Sequence, residues 1–248
     1  MTIRIFANAL FAGLIAGAIV VLLQFLLTEP LILEAEQYES GAKVHFAGLD
    51  EPGVMHDHGA AVAIDPGTAA AMETAAAQEE GESIAKRFSL AFATDFIVFV
   101  AWALIMSALV SIAVAKGHKM TLQNGLFWGL AGFAAVHVAP GIGLAPELPG
   151  IPAADLQARQ LWWIGTVLAA AVAMGLFAFG RSPLAIAVGV ALLVIPHLVG
   201  APELQQLAGL APPSLAGEYV ARSYAVALAG WSMLGLAMAW FWSRPQTA

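Results

Sequence analysis

Charged residues are so sparse in this chain that they cut it into long apolar blocks. Six stretches of at least 20 residues carry no Asp, Glu, Lys or Arg: Ile5–Thr28, Phe96–Ala115, Met120–Pro146, Gln160–Gly180, Ser182–Pro202 and Ser223–Ser243. A spanning helix needs roughly 20 residues, each rising ~1.5 Å, to cross ~30 Å of hydrocarbon. The pattern therefore predicts an all-α, polytopic integral membrane protein with six transmembrane helices paired as three hairpins. Gln123, Asn124 and Pro140 trim the third block, and Pro196 interrupts the fifth near its end. The first block follows Arg4 but is longer than the ~7–15-residue apolar core of a signal peptide. TEPLILEAE after it offers no small-residue cleavage site, so it reads as a retained helix.

Composition agrees with this pattern. The chain is 60% hydrophobic and 11% charged, with mean hydropathy +0.81, whereas soluble domains carry about 25% charged residues. There is no cysteine, which removes disulfides and thiolate metal sites. Three regions follow: a first transmembrane helix at 1–28, an acidic, His-containing extracytoplasmic loop at 29–88, and a five-helix transmembrane region at 89–248. The loop holds twelve of the seventeen acidic residues. Its AAAMETAAAQEEGESIAKRF stretch has good helix formers, but the loop is too polar and Ala-rich to bury its own core.

Lys and Arg orient membrane proteins, whereas Asp and Glu contribute little. The chain ends and even-numbered loops hold Arg4, Lys116, Lys119, Arg181 and Arg244 and no acidic residue. Both termini are therefore expected in the cytoplasm, with the acidic loops outside. An acidic outer rim would concentrate cations, or simply keep those loops solvated.

Polar marks recur at one end of the apolar blocks. The first block ends in Gln24 and Glu29-Pro30-Leu31-Ile32-Leu33-Glu34, the third in His137 followed by Ala-Pro-Glu-Leu (145–148), and the fifth in Pro196-His197 followed by Ala-Pro-Glu-Leu (201–204). The return helices begin at Ala85-Lys86-Arg87, Ala158-Arg159 and Ala221-Arg222. This suggests duplicated hairpins with a more diverged first copy. A helix N-terminus disfavours cations, so Arg159 and Arg222 call for partners; Glu147 and Glu203 in the same loops are the obvious ones.

Neutral imidazole binds Zn, Ni, Co and Cu ions, and carboxylates and carbonyls add oxygen ligands. His137, His197, Glu147 and Glu203 are thus candidate metal ligands. Pro140, Pro146 and Pro196 are expected to stop helices and free carbonyls at a cavity mouth. Ordinary loop turns beside interfacial histidines would give the same pattern. Asp95 lies inside the second apolar run, where an ionisable residue is a functional candidate, or an interfacial residue if the helix starts late. His56-Asp57-His58 is a candidate capture site. Glu29, Glu34, Glu36 and Glu39 are either vestibule ligands or a solvated collar. Trp162, Trp163, Trp231, Trp240 and Trp242 suit the headgroup belt, and Gly13-Leu-Ile-Ala-Gly17 is a GxxxG match for close helix packing. No Walker A, HExxH or Ser-His-Asp arrangement stands out, so an enzyme is not expected.

The stretches EPLILEAEQYE, GLFWGLAGFAAVHVAPGIGLAPELPG, ADLQARQLWW and IPHLVGAPE resemble CbtA, a family of predicted cobalt transporter subunits, along most of the chain. The APGIGLAPELPG…ARQLWW block is the most specific part. The resemblance implies a cobalt-permeating component of the bacterial inner membrane, accompanied by a small one-helix, His-bearing partner, CbtB. It carries function onto His137, Pro140, Pro146, Glu147, Arg159, Gln160, His197 and Glu203. Arg222 joins them as a structural or gating candidate. The family often has a richer His tract in the first loop and is often described with five spans; here His56-Asp57-His58 stands near that tract, and six charge-free blocks are counted.

The function expected is uptake of a divalent transition metal, Co²⁺ by resemblance, with Ni²⁺ or Zn²⁺ equally suited to imidazole–oxygen ligands. The ion is cargo, and no permanently bound cofactor is expected. The expected partners are lipid, the ion, the small CbtB-like protein and a second copy of the chain, without nucleic acid. A non-transporting interaction or regulatory protein, or a carrier of another solute, remain as alternatives.

Overall fold

A computed structural model describes residues 2–43, 66–203 and 209–244, with side chains for 5–43, 85–203 and 209–244. The described residues are helical, with no strand among them: α1 (Thr2–Leu27), α2 (Glu29–Glu39), α3 (Pro66–Ala115), α4 (Leu122–Phe133), a π turn (Ala134–Val138), α5 (Ala139–Gly141), α6 (Leu156–Phe179), α7 (Pro183–Val199) and α8 (Pro213–Ser243). The chain divides into two compact units, Met1–His45 with Asp95–Ala248, and Phe46–Thr94. The helical core and the cavity belong to the first.

Among the described residues, four helical segments are long and apolar enough to cross a membrane: Ile5–Leu27, Ala85–Ala115, Leu156–Phe179 and Pro213–Ser243, and Pro183–Val199 is a shorter apolar helix. The difference from six blocks has two physical causes. The third block is helical from Leu122 to Gly141 but changes pitch within it. The fifth forms a helix of only 17 residues, about 25 Å at 1.5 Å per residue.

Helix starts follow caps and prolines more than hydropathy. Asp155 caps α6 by accepting from the Ala158 N–H at 2.9 Å, and Ser182 caps α7 by accepting from Ala185 at 3.2 Å. Pro213 opens α8 nine residues before Arg222. Arg222 is therefore well inside its helix, not at its start as the apolar block suggests. The same holds for Lys86 and Arg87, because α3 begins at Pro66. Thr28 separates α1 from α2, with Pro30 in the first turn of α2, where its missing N–H is tolerated.

Pro140 and Pro196 lie inside their helices, not just past the ends as expected, and the helices close shortly after them at Gly141 and Val199. A proline lacks an N–H and its ring crowds the carbonyl four residues back. Before Pro140 the helix widens: the Ala139 N–H donates to Ala134 O, five residues back, in the π turn. Widened turns of this kind are frequent at functional sites. Pro196 lies inside α7, which continues to Val199 and ends at Gly200 with φ 86°.

The first unit is an antiparallel helical bundle held by small residues. Ala9, Ala12, Ala16 and Val20 of α1 meet Phe99, Ala103, Met106 and Val110 of α3 and Trp231, Leu234, Ala237 and Met238 of α8 in one core. Association of apolar helices in lipid depends on close packing and interhelical hydrogen bonds. Gly13 and Gly17 supply the closeness: a methyl on Gly13 would lie 2.6 Å from the Val100 α-carbon, and one on Gly17 3.3 Å from that of Phe96. A second seam joins α4 to α8. A methyl on Gly235 would lie 2.8 Å from the Gly129 nitrogen and would overlap the Gly125 carbonyl. Large apolar side chains such as Phe6, Leu22, Ile97, Leu168 and Leu184 face outward, as lipid-facing surfaces require. Trp231 is only 3% exposed, so it is a core residue and not a headgroup anchor.

Candidate functional site

The π turn and the chain after it build a cavity of ≈ 270 Å³. It is lined by His137 and Pro140, by Leu144, Pro146 and Glu147 from the following loop, by Arg159 and Trp163 of α6, and by Tyr224 of α8. Five residues singled out from sequence, His137, Pro140, Pro146, Glu147 and Arg159, thus line one cavity.

Each is positioned by local structure. His137 is half-buried on the π turn, between the ring of Phe133, stacked at 6.0 Å, and that of Trp231, edge-on at 6.2 Å. Beyond Pro140 the helix ends, with Gly143 and Leu144 donating back to Pro140 O at 3.1 and 2.8 Å. That turn swings Pro146 and Glu147 over the start of α6. There Arg159 donates to Glu147 at 2.8 Å, the two side chains being 26% and 36% exposed. The partner anticipated for Arg159 is the one found. Tyr224 also lines the cavity, its hydroxyl against Gly141.

The other candidates lie elsewhere. His197 is half-buried on α7 with its ring edge-on to Trp162 at 5.8 Å, and the Trp162 indole donates to Pro196 O at 3.1 Å. Pro196 and Trp162 line a separate, mostly apolar groove between α6 and α7, with Thr166, Leu192 and Val199. Glu203 is exposed, and Gln160 is exposed on α6. Asp95 accepts from the Gln24 side chain at 3.5 Å, tying α3 to α1. Arg222 pairs with Glu218 on its own helix and donates to Leu27 O at 2.9 Å, so Glu203 is not the partner seen. His56, Asp57 and His58 lie outside the described residues. Among the described residues, no group of three or more His, Asp or Glu side chains could hold a metal ion.

The polar marks do share one end of the bundle. Arg222 reaches the end of α1, while Tyr224, on the same turn of α8, lines the His137 cavity. Trp162, at the start of α6, meets the end of α7. The two His-then-APEL copies are nonetheless unequal: one histidine lines the cavity and the other packs on a tryptophan. Sequence reasoning missed Tyr224 and Trp163. Tyr224 carried a usable signal, a hydroxyl within a charge-free block, whereas a tryptophan beside an interface does not distinguish cavity from lipid.

Helical structure without strands among the described residues, four helices long and apolar enough to cross a membrane, and a polar cavity at one bundle end fit a multi-pass membrane protein. The model of one family, the probable cobalt transporter subunit CbtA, matches residues 2–243, nearly the whole chain. The chain belongs to that family. No curated protein and no solved structure matches it.

Proposed function

We propose that this chain carries a divalent transition-metal ion, cobalt by family, inward across the bacterial inner membrane, through the cavity that His137 and Glu147 line. The observation behind this reading is the gathering of an imidazole, a carboxylate with its guanidinium partner and a phenol in one polar cavity at a bundle end. Neutral imidazole and carboxylate oxygen suit Co²⁺, Ni²⁺ and Zn²⁺ alike. The chain crosses six times as three hairpins, the Leu122–Gly141 helix and α7 being the third and fifth crossings, with both termini in the cytoplasm. The acidic 29–88 loop lies outside and gathers cations. A small single-helix, His-bearing protein accompanies it.

Uptake of radioactive cobalt by cells expressing equal amounts of each variant tests the proposal. His137→Ala and Glu147→Gln should each lower the initial rate at least tenfold, while His197→Ala should stay within about twofold. Unchanged uptake in both cavity variants would discard the path. The lack of a three-ligand group among the described residues favours a second reading, a non-transporting interaction protein. Under that reading the cavity variants change the recovery of a partner and leave metal binding by this chain untouched.

A further inference from the structure

The cavity contains its own competing cation. Arg159 Nη2 lies 2.8 Å from Glu147 Oε2, and both side chains line the cavity with His137. A carboxylate held by a guanidinium is a poor metal ligand, since the two cations repel when they share it. Arg159 also occupies the first turn of α6, where the helix dipole disfavours a cation, so Glu147 is what holds it there. A second acidic partner stands one turn back. Asp155 caps α6 with one oxygen on the Ala158 N–H, and an acid four residues before an arginine is well placed to pair with it.

Resting on the reading of this cavity as the metal path, we infer that Arg159 is a resident counter-ion that yields Glu147 to the entering metal and moves to Asp155. Arg159 is a positioning residue here: it sets when Glu147 is open and speeds the release of the ion by returning. The exchange is one of ion pairs, Arg159–Glu147 for Arg159–Asp155 plus metal–Glu147, and the divalent ion on its single carboxylate keeps one positive charge, which favours its onward release. It lets one carboxylate both capture and surrender a divalent ion.

Titration of the purified full-length protein with CoCl₂, with the release rate measured after adding a chelator, tests this. Arg159→Gln should tighten Co²⁺ binding about tenfold, a change of ~1.4 kcal/mol, and slow release correspondingly. Arg159→Lys, which keeps the charge but makes a single contact, should tighten it about twofold. Asp155→Asn, which keeps the helix cap, should weaken binding about threefold and hasten release. That variant also serves if the glutamine variant is not monodisperse. Weaker binding in Arg159→Gln, matching Glu147→Gln, would make Arg159 a plain support for Glu147 and overturn the inference, as would an unchanged Asp155→Asn. If wild type, His137→Ala and Glu147→Gln all bind Co²⁺ alike, the cavity itself is not the metal site and the proposed function falls with the inference.

Discussion

The Tyr224 hydroxyl rests on Gly141, and a methyl there would overlap the hydroxyl and lie 2.8 Å from Tyr224 Cζ. The contact closes one wall of the cavity by apposing the end of the broken helix to α8. Forcing an extra methyl into a packed site costs about 1–3 kcal/mol. Gly141→Ala should therefore lower the thermal midpoint followed by tryptophan fluorescence in detergent. Adding Tyr224→Phe should restore at least half of the loss, because the hydroxyl makes the worst overlap and the ring carbon behind it, 2.8 Å away, has less far to move. No recovery would show that the backbone at Gly141, not the contact, sets the cost.

Arg222 joins α8 to the end of α1 through Leu27 O. Hydrogen bonds from charged donors contribute about 1.5–3 kcal/mol. Arg222→Met, which keeps the aliphatic stem, should destabilise the protein by about that amount in thermal unfolding. A variant of Glu203, remote from this contact, should not.

The glycine seam between α4 and α8 predicts a contrast. Gly235→Leu should abolish the recovery of monodisperse protein, because backbone atoms of Gly125 and Gly129 stand in the way. Gly175 in α6 has no atom within 4 Å of an added methyl. There Gly175→Ala should be neutral or stabilising by up to about 1 kcal/mol, from helix propensity alone. Size-exclusion profiles and thermal midpoints check both.

Trp162 holds α7 to α6 by its indole N–H on Pro196 O. Trp162→Phe keeps a ring beside His197 but removes the donor, and should cost about 1 kcal/mol. Limited proteolysis after Glu203 should become faster in that variant. Equal rates would mean that packing on α6, not this bond, holds the end of α7.

What the sequence tells depends on whether a residue's fate is decided locally. Arg159 and Glu147 were legible as a pair because a cation in a first helical turn needs a nearby anion, and the two are only 12 residues apart across a loop that ends at α6. Arg222 was misread because Pro213 starts its helix, while the apolar block begins only at Ser223. The bundle end that gathers the polar marks was legible from alternating crossings. The inequality of the two histidines was not. The α4–α5 segment packs on α8 and α6, whereas α7 packs on α6 and leaves Leu184, Leu198 and Val199 outward; identical motifs meet different neighbours there. Gly13 and Gly17 were readable as a packing pair, but their partner α3 was not.

The π turn has one more consequence. Each residue advances an α-helix by about 100°, so the one extra residue accommodated between Ala134 and Val138 works as a phase shifter. Before it, Gly125 and Gly129 are aimed at α8; after it, Pro140 and Gly141 are turned to the cavity and Tyr224. Removing Ala134 or Ala135 would leave composition and hydropathy almost unchanged. It would nevertheless rotate the loop bearing Glu147 about a quarter-turn off its arginine, which makes the length of this segment, as much as the histidine it carries, a feature that cannot drift.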